Sequence, residues 1–335
     1  MKYTTDIAII GAGPTGLFAV FEAGMLKMKT VVIEALDFIG GQCTALYPEK
    51  PIYDIPAHPS ILAEDLIKNL EAQAAPFKPE YLLSQQVVKL NKTNDLFELT
   101  TSKGNIVECK AVIIAGGCGS FGPNRPPIAN LEEYEGKSVF YLINNKEFYR
   151  DKTVVIAGGG DSAVDWAINL YDIAKKIYVI HRRDKFRAAP ESCDKLAELS
   201  KTEKLEMVIP YQLEGLEGDN GQIKHVVVKD LDNNIKYIEA DYLLPFFGLS
   251  MDLGPILDWE LHLEKKHIAV EPSTMATSIP GVYAIGDIAT YKNKLKLILN
   301  GFAEAATACY DIYNLVYPDV ALHFEYSTTK GVEKV

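Results

Sequence analysis

Gly11-Ala12-Gly13-Pro14-Thr15-Gly16 follows the apolar run Ile7-Ala8-Ile9-Ile10, and Gly158-Gly159-Gly160-Asp161-Ser162-Ala163 follows Val154-Val155-Ile156-Ala157. After each glycine turn comes an amphipathic stretch, then a second β-branched run: Thr30 to Glu34, and Ile177 to His181. This order of strand, glycine turn, helix and strand is what a dinucleotide-binding βαβ unit requires. The first glycine makes the tight turn, and the second lets the backbone approach a pyrophosphate. The third position must be small where helix meets strand, which Gly16 and Ala163 satisfy. The helix N-terminus then offers free amides to the phosphates.

The two units differ at one matched offset. Twenty-three residues after Gly11 stands Glu34, and twenty-three after Gly158 stands His181, followed by Arg182 and Arg183. A carboxylate there accepts hydrogen bonds from a free ribose hydroxyl and repels a 2′-phosphate. A basic cluster there accommodates the phosphate instead. The first unit (Gly11, Gly13, Gly16 and Glu34) is therefore expected to bind an unphosphorylated adenosine, as in FAD or NAD. The second (Gly158, Gly160, Asp161, Ser162 and Ala163, with His181, Arg182, Arg183 and Arg187) is expected to bind NADP.

The remaining chain fits around these units. Its 335 residues suit two domains. Ala111 to Gly117 reads as a buried strand that adds to the first sheet, and the second βαβ spans 152–183. Strands are expected at 205–209, 223–229, 235–239 and 242–247. A helix is expected over Ser60–Ala74 with Ser60 as N-cap. Gly281 to Asp287 is an apolar strand ending in Gly-Asp, which returns the chain to the first domain, and Gly301 to Leu315 is a last amphipathic helix. The predicted fold is α/β: two Rossmann-like, three-layer dinucleotide-binding domains, one inserted in the other. The outer domain takes 1–121 and 248–335, the inserted one 122–247. Asp287, at its strand end, is a candidate acceptor for a ribityl or ribose hydroxyl. The helix at Gly301 is expected to aim its positive end at a flavin pyrimidine.

Composition narrows the function classes. Hydrophobic residues make up 48% and charged residues 24%, as in ordinary globular proteins. No apolar run approaches a membrane span, and Met1 leads straight into the first strand, so a cytoplasmic protein without a signal peptide is expected. A net charge of −11 argues against nucleic acid, which needs a basic footprint. An acidic protein partner would need a local basic patch, for which Lys292, Lys294 and Lys296, or Lys330 and Lys334, are candidates. Of the five cysteines none forms C-x-x-C, and the nearest pair, Cys109 and Cys118, is nine positions apart. They read as free thiols, with no metal-ligand spacing.

GAGPTG, Glu34, GGGDSAVDWA, HRRDKFRA and GVYAIGD, in this order, resemble the thioredoxin reductase-like flavoproteins. The stretch where those enzymes carry a redox dithiol is here Tyr141 to Phe148, without cysteine. Flavin electrons then have no route to a disulfide. The chain instead resembles the thioredoxin reductase-like type of ferredoxin–NADP reductase. That resemblance implies a homodimer and FAD held by Thr15, Gln42, Tyr47, Val87, Phe121, Tyr326 and Thr328. Tyr47 would stack on one flavin face and Tyr326, from the C-terminal tail, on the other. It also implies hydride transfer from NADPH to the flavin and single-electron release to ferredoxin or flavodoxin. The cofactor carries the chemistry, so no catalytic residue is named. Cys43, in the flavin loop, reads as a packing residue. A quinone reductase, an NADPH oxidase, a monooxygenase and a non-catalytic NADP-sensing flavoprotein share the same two sites.

Charge-assisted hydrogen bonds contribute about 1.5–3 kcal/mol each. Replacing Arg182 and Arg183 by Ala should therefore raise the KM for NADPH by some hundreds of fold, about 3–4 kcal/mol, and leave NADH use little changed. Equal losses with both nucleotides in steady-state assays would contradict the assignment.

Overall fold

The computed structural model describes residues 1–93, 96–322 and 331, with backbone only for 120, 121 and 249–251. Two compact units emerge, Met1–Ser120 with Met251–Val335, and Phe121–Ser250. Two parallel sheets use strands β1 (Ile7–Ile10), β2 (Thr30–Ile33), β3 (Glu80–Leu82), β4 (Ala111–Ile114), β5 (Thr153–Ala157), β6 (Lys176–Ile180), β7 (Leu205–Val208), β8 (Tyr242–Pro245) and β9 (Val282–Ala284). The α-helices are α1 (Pro14–Met25), α2 (Gln42–Leu46), α3 (Ala63–Ala74), α4 (Asp161–Asn169), α5 (Pro190–Leu199) and α6 (Ile298–Val316). None of the described helices is long and apolar enough to cross a membrane.

In the first unit the parallel order is β9-β4-β1-β2-β3. The last strand completes the first sheet: Val112 of β4 pairs with Val282 of β9. These strands are apolar on both faces because both are covered. Ile7, Ile9 and Ile113 pack with Ala19, Val20 and Ala23 of α1 and with Ala305, Ala308 and Ile312 of α6. Ala8, Ile33, Val112 and Ile114 point the other way, onto Phe97, Leu99 and Val107 of a second sheet. The three layers are thus helices, parallel sheet and a mixed sheet in which Lys2–Thr4, Ile106–Cys109, Leu96–Thr101 and Val87–Thr93 lie side by side in that order.

The second unit repeats the plan. Its parallel order is β7-β6-β5-β8, with α4 against β5 and β6. Val155 and Ala157 of β5 face Val226, Val228 and Ile238 of the antiparallel strands Gln222–Lys229 and Ile235–Glu239.

Three local expectations change. A strand at Gln212–Asp219 was not expected. It pairs antiparallel with Gln222–Lys229 through Asn220-Gly221, both at positive φ (55° and 81°). That is the Asn-Gly hairpin turn, masked in the sequence by Gly215 and Gly218. Ser60 is not an N-cap. Ile61–Leu62 pairs as a strand with Pro51–Ile52, and the carbonyls of Lys50 and Pro48 accept from the Ala63 and Glu64 N–H groups, both at 3.0 Å. The strand pairing supplies the cap, and the helix starts at Ala63. The last helix begins at Ile298, so Gly301 lies inside it, buried, and does not mark its start.

The hairpin turn also locks the unit. Ser138 Oγ donates to the Gly221 carbonyl at 2.7 Å, and a Cβ on Gly221 would fall 2.5 Å from the Glu133 carbonyl oxygen. Gly221→Ala should destabilise the protein by about 1–3 kcal/mol, read as an earlier chemical-denaturation midpoint. An unchanged midpoint would refute this reading of the turn.

Candidate nucleotide-binding sites

The first fingerprint is shaped by contacts that only glycine permits. Gly11 has φ +107°, and a Cβ there would lie 2.4 Å from the Ala115 carbonyl oxygen. A Cβ on Gly16 would lie 2.1 Å from the Gly11 oxygen. Gly13 is different: its Cβ direction meets nothing within 4 Å. It is also the N-cap of α1, with Pro14 next and no side-chain cap. The helix therefore opens with amides that no side chain caps, beside a glycine with no atom in its Cβ direction, the geometry that receives a pyrophosphate.

Glu34 stands at the end of β2 and turns back over the fingerprint. Its Oε2 accepts from the Ala12 N–H at 2.7 Å and its Oε1 from the Leu36 N–H at 2.9 Å. It is 8% exposed. Each carboxylate oxygen keeps a further lone-pair direction for a ribose hydroxyl.

The loop after β2 folds onto the same fingerprint. The Gly40 N–H donates to the Ala12 carbonyl at 2.8 Å, and a Cβ on Gly41 would meet the Gly13 Cα at 3.2 Å. Its short helix α2 brings Gln42, Cys43 and Tyr47 together. The Cys43 thiol donates to Tyr47 Oη at 3.9 Å. Burial pushes Cys43 up to about 11, so it stays a protonated thiol at neutral pH. Burial also raises the Tyr47 phenol, with Cys43, Asp287 and Cys118 acting in the same direction. Cys118 is raised by burial and by Asp287, opposed by a hydrogen bond with Gln42 and by Lys296. Gln42, Tyr47, Cys118 and Asp287 thus share one electrostatic neighbourhood. Thr15 sits where α6 and the Gly286 turn meet: Cβ atoms added to Gly301 and Gly286 would lie 2.3 Å and 3.3 Å from its Oγ1.

Val87 differs from this group. Its side chain is in the core between the sheets, and only its backbone is available to a ligand. Two residues before it, the Gln85 N–H donates to the Glu34 carbonyl at 2.9 Å. Phe121 is described as backbone only, in the strand Ser120–Pro123. Tyr326, Thr328, Lys330 and Lys334 lie outside the described residues.

Sequence reasoning missed Glu304. It lies on the inner face of α6 and is 3% exposed. Its Oε2 accepts from the Gly286 N–H at 2.7 Å, and its Oε1 accepts from Tyr291 Oη at 2.7 Å and from Lys294 Nζ. The Lys294 side chain is 6% exposed. It is therefore removed from the basic patch the sequence suggested, because it is consumed in a buried ion pair. Its signal was indirect: an acid on the apolar stripe of a helix, in line with buried Gly301, Ala305 and Ala308.

The second fingerprint repeats the first in outline. Gly160 is the N-cap of α4, with no side-chain cap and nothing within 4 Å of its Cβ direction. Ala163 is buried against the turn, 2.9 Å from where a Cβ on Gly158 would stand. His181 occupies the position of Glu34, but as a neutral plug and not as a cation. A Cβ on Gly159 would meet its ring at 2.1 Å, and Phe186 lies 5.1 Å away, centroid to centroid. Burial lowers its pKa; a hydrogen bond that the ring donates to the Lys185 backbone opposes this, while Arg187, Arg182 and Arg183 lower it further. The basic cluster is thus the three arginines, all exposed. Their loop is pinned to the fingerprint, since the Arg187 N–H donates to the Gly159 carbonyl at 2.7 Å. Asp161 Oδ1 accepts from the Ala189 N–H at 2.9 Å, and Ser162 is exposed beside it.

Two glycine-cradled helix ends, one guarded by a carboxylate and one by arginines, are the working parts of a two-nucleotide oxidoreductase. Residues 5–305 match the pyridine nucleotide-disulphide oxidoreductase family, and the chain belongs to it. It is 59% identical to the ferredoxin–NADP reductase of Rickettsia felis over 334 residues, 100% of each chain. It is 60% identical to that of Rickettsia canadensis over 328 residues, 98% of this chain and 97% of the other. Among solved structures, thioredoxin reductase of Lactococcus lactis superposes with a TM-score of 0.81 at 25% identity, covering 94% of this chain and 99% of its own.

The buried pair gives a direct test. Lys294→Met should cost about 3–5 kcal/mol, because Glu304 is left buried without its counter-charge. Lys294→Met with Glu304→Gln should recover much of that loss in thermal denaturation. An equal loss in single and double variants would contradict the pairing.

Proposed function

We infer that the chain catalyses electron transfer between NADPH and ferredoxin, using FAD. The matched offset carries the reading: Glu34 in one fingerprint and the Arg182, Arg183 and Arg187 cluster in the other separate an unphosphorylated from a 2′-phosphorylated dinucleotide. Full-length identity of about 60% to ferredoxin–NADP reductases supports it.

The outer unit is assigned to FAD and the inserted unit to NADP(H). Gly11, Gly13, Thr15 and Gly16 present the open end of α1 to the pyrophosphate, and Glu34 accepts the ribose hydroxyls. Gln42, Tyr47 and Asp287 line the flavin end, and Val87 and Phe121 contribute backbone. In the inserted unit Gly158, Gly160, Asp161, Ser162 and Ala163 form the pyrophosphate turn. Arg182, Arg183 and Arg187 would hold the 2′-phosphate, with His181 as a neutral neighbour. When bound, FAD accepts a hydride from the nicotinamide and passes electrons on singly. The protein groups bind, orient and set charge; no protein acid or base is needed for that transfer.

The tail residues Tyr326 and Thr328 are assigned to the flavin by family resemblance alone, as is the homodimer. The five cysteines are all free thiols, which supports a reducing, cytoplasmic setting. Their scatter leaves no dithiol for disulfide reduction.

Steady-state NADPH oxidation with the flavin-loaded protein tests the activity. Turnover with ferredoxin should exceed that with oxygen or a quinone, and oxidised thioredoxin should not be reduced. Faster turnover with quinone, or thioredoxin reduction, would overturn the reading.

A further inference from the structure

Beside the Asp287 turn the first unit carries a basic and apolar surface in a chain of net charge −11. Leu263–Glu264 and His267–Ala269 form a hairpin whose turn holds Lys265 at φ 59°. The hairpin is fixed next to the Asp287 turn, because Ile268 and Ala269 pair with Ala289 and Thr290. Lys296 joins it from the other side: its Nζ donates to His267 Nε2 at 2.8 Å. Burial and the charge of Lys296 both lower His267, which therefore accepts as a neutral ring.

The segment that supplies Lys296 is held firmly. Lys294 is anchored in the ion pair with Glu304. Its neighbours face solvent: Leu295 is 57% and Leu297 38% exposed, and Lys292, Lys296 and Lys265 are exposed. Glu264 is the exposed acid in the hairpin. A lysine with a buried side chain thus presents apolar side chains between cations on a loop tied to α6.

We propose that this surface, Lys265, Lys292 and Lys296 around Leu295 and Leu297, docks the acidic one-electron carrier protein. The proposal rests on the ferredoxin reading above. The chain as a whole repels an acidic carrier, so the encounter needs a local patch of opposite charge. This one lies in electrostatic reach of Asp287 and Cys118, at the flavin end of the site. An apolar centre rimmed by cations gives contact area as well as steering. A second copy of the chain fits poorly, because a two-fold contact would set these lysines against themselves.

The test uses the full chain loaded with FAD, a purified acidic [2Fe–2S] ferredoxin, and the variants Lys265→Glu with Lys292→Glu, and Leu295→Ser. The KM for ferredoxin should rise about tenfold or more in the charge variant, and its rate should lose most of its salt sensitivity. The KM should rise several-fold in Leu295→Ser. The rate at which NADPH bleaches the bound flavin, and the sedimentation coefficient, should stay at wild-type values. Unchanged ferredoxin kinetics would overturn the proposal. So would slower bleaching, which would place these residues in nucleotide or flavin binding, and so would a changed oligomeric state, which would assign the surface to a second copy. If the wild type bleaches with NADPH yet reduces no ferredoxin, the functional reading falls and takes the docking surface with it.

Discussion

The first amides of α1 and α4 have no side chain to satisfy them. Gly13 and Gly160 are the N-cap residues and neither carries a side-chain oxygen. A helix end left this way is costly without a partner and suited to an anion. The rest of each unit can be derived from holding that end open. Gly11 and Gly16 bring strand and helix close enough to form it. The β-branched strands place it at the carboxyl edge of a parallel sheet, where doubly wound folds bind ligands.

What then separates the two ends is a single side-chain position. At the end of β2, Glu34 accepts from the Ala12 amide and adds negative charge beside the glycine turn. At the end of β6, His181 lies on Gly159, the matching residue, and brings no charge. With the ring neutral, the arginines beyond it set the sign of the second site. In the proposed reading, the same scaffold distinguishes two adenosine ends that differ by a 2′-phosphate. Around the Asp287 turn, Glu304 and Lys294 act at longer range. They tie the Gly286 turn and the Tyr291–Leu297 loop to α6 through one buried carboxylate.

Much of this was legible in the chain. The buried strands declare themselves as β-branched runs ending in glycine, and the Glu34/His181 contrast needs only counting. Other parts depend on contacts far apart in sequence. Lys294 looks like its neighbours Lys292 and Lys296 until packing buries it. Ser60 is a good capping residue by type, but the carbonyls of Pro48 and Lys50 reach the α3 amides first. Gly301 reads as a helix start because glycine weakens helices, yet it is needed inside α6, where Thr15 leaves no room for a Cβ. The Asn220-Gly221 hairpin was readable and was hidden by two strand glycines.

The central claim is that one chain holds a flavin in the carboxylate-guarded cradle and reads the 2′-phosphate in the arginine-guarded one. An anaerobic absorbance titration of the FAD-loaded protein tests it most directly. NADPH should bleach the flavin band with about one equivalent, and NADH at the same concentration should do so at least a hundred-fold more slowly, as expected for a loss of about 3 kcal/mol. A protein that holds no flavin, or whose flavin is bleached equally fast by both nucleotides, would contradict the account.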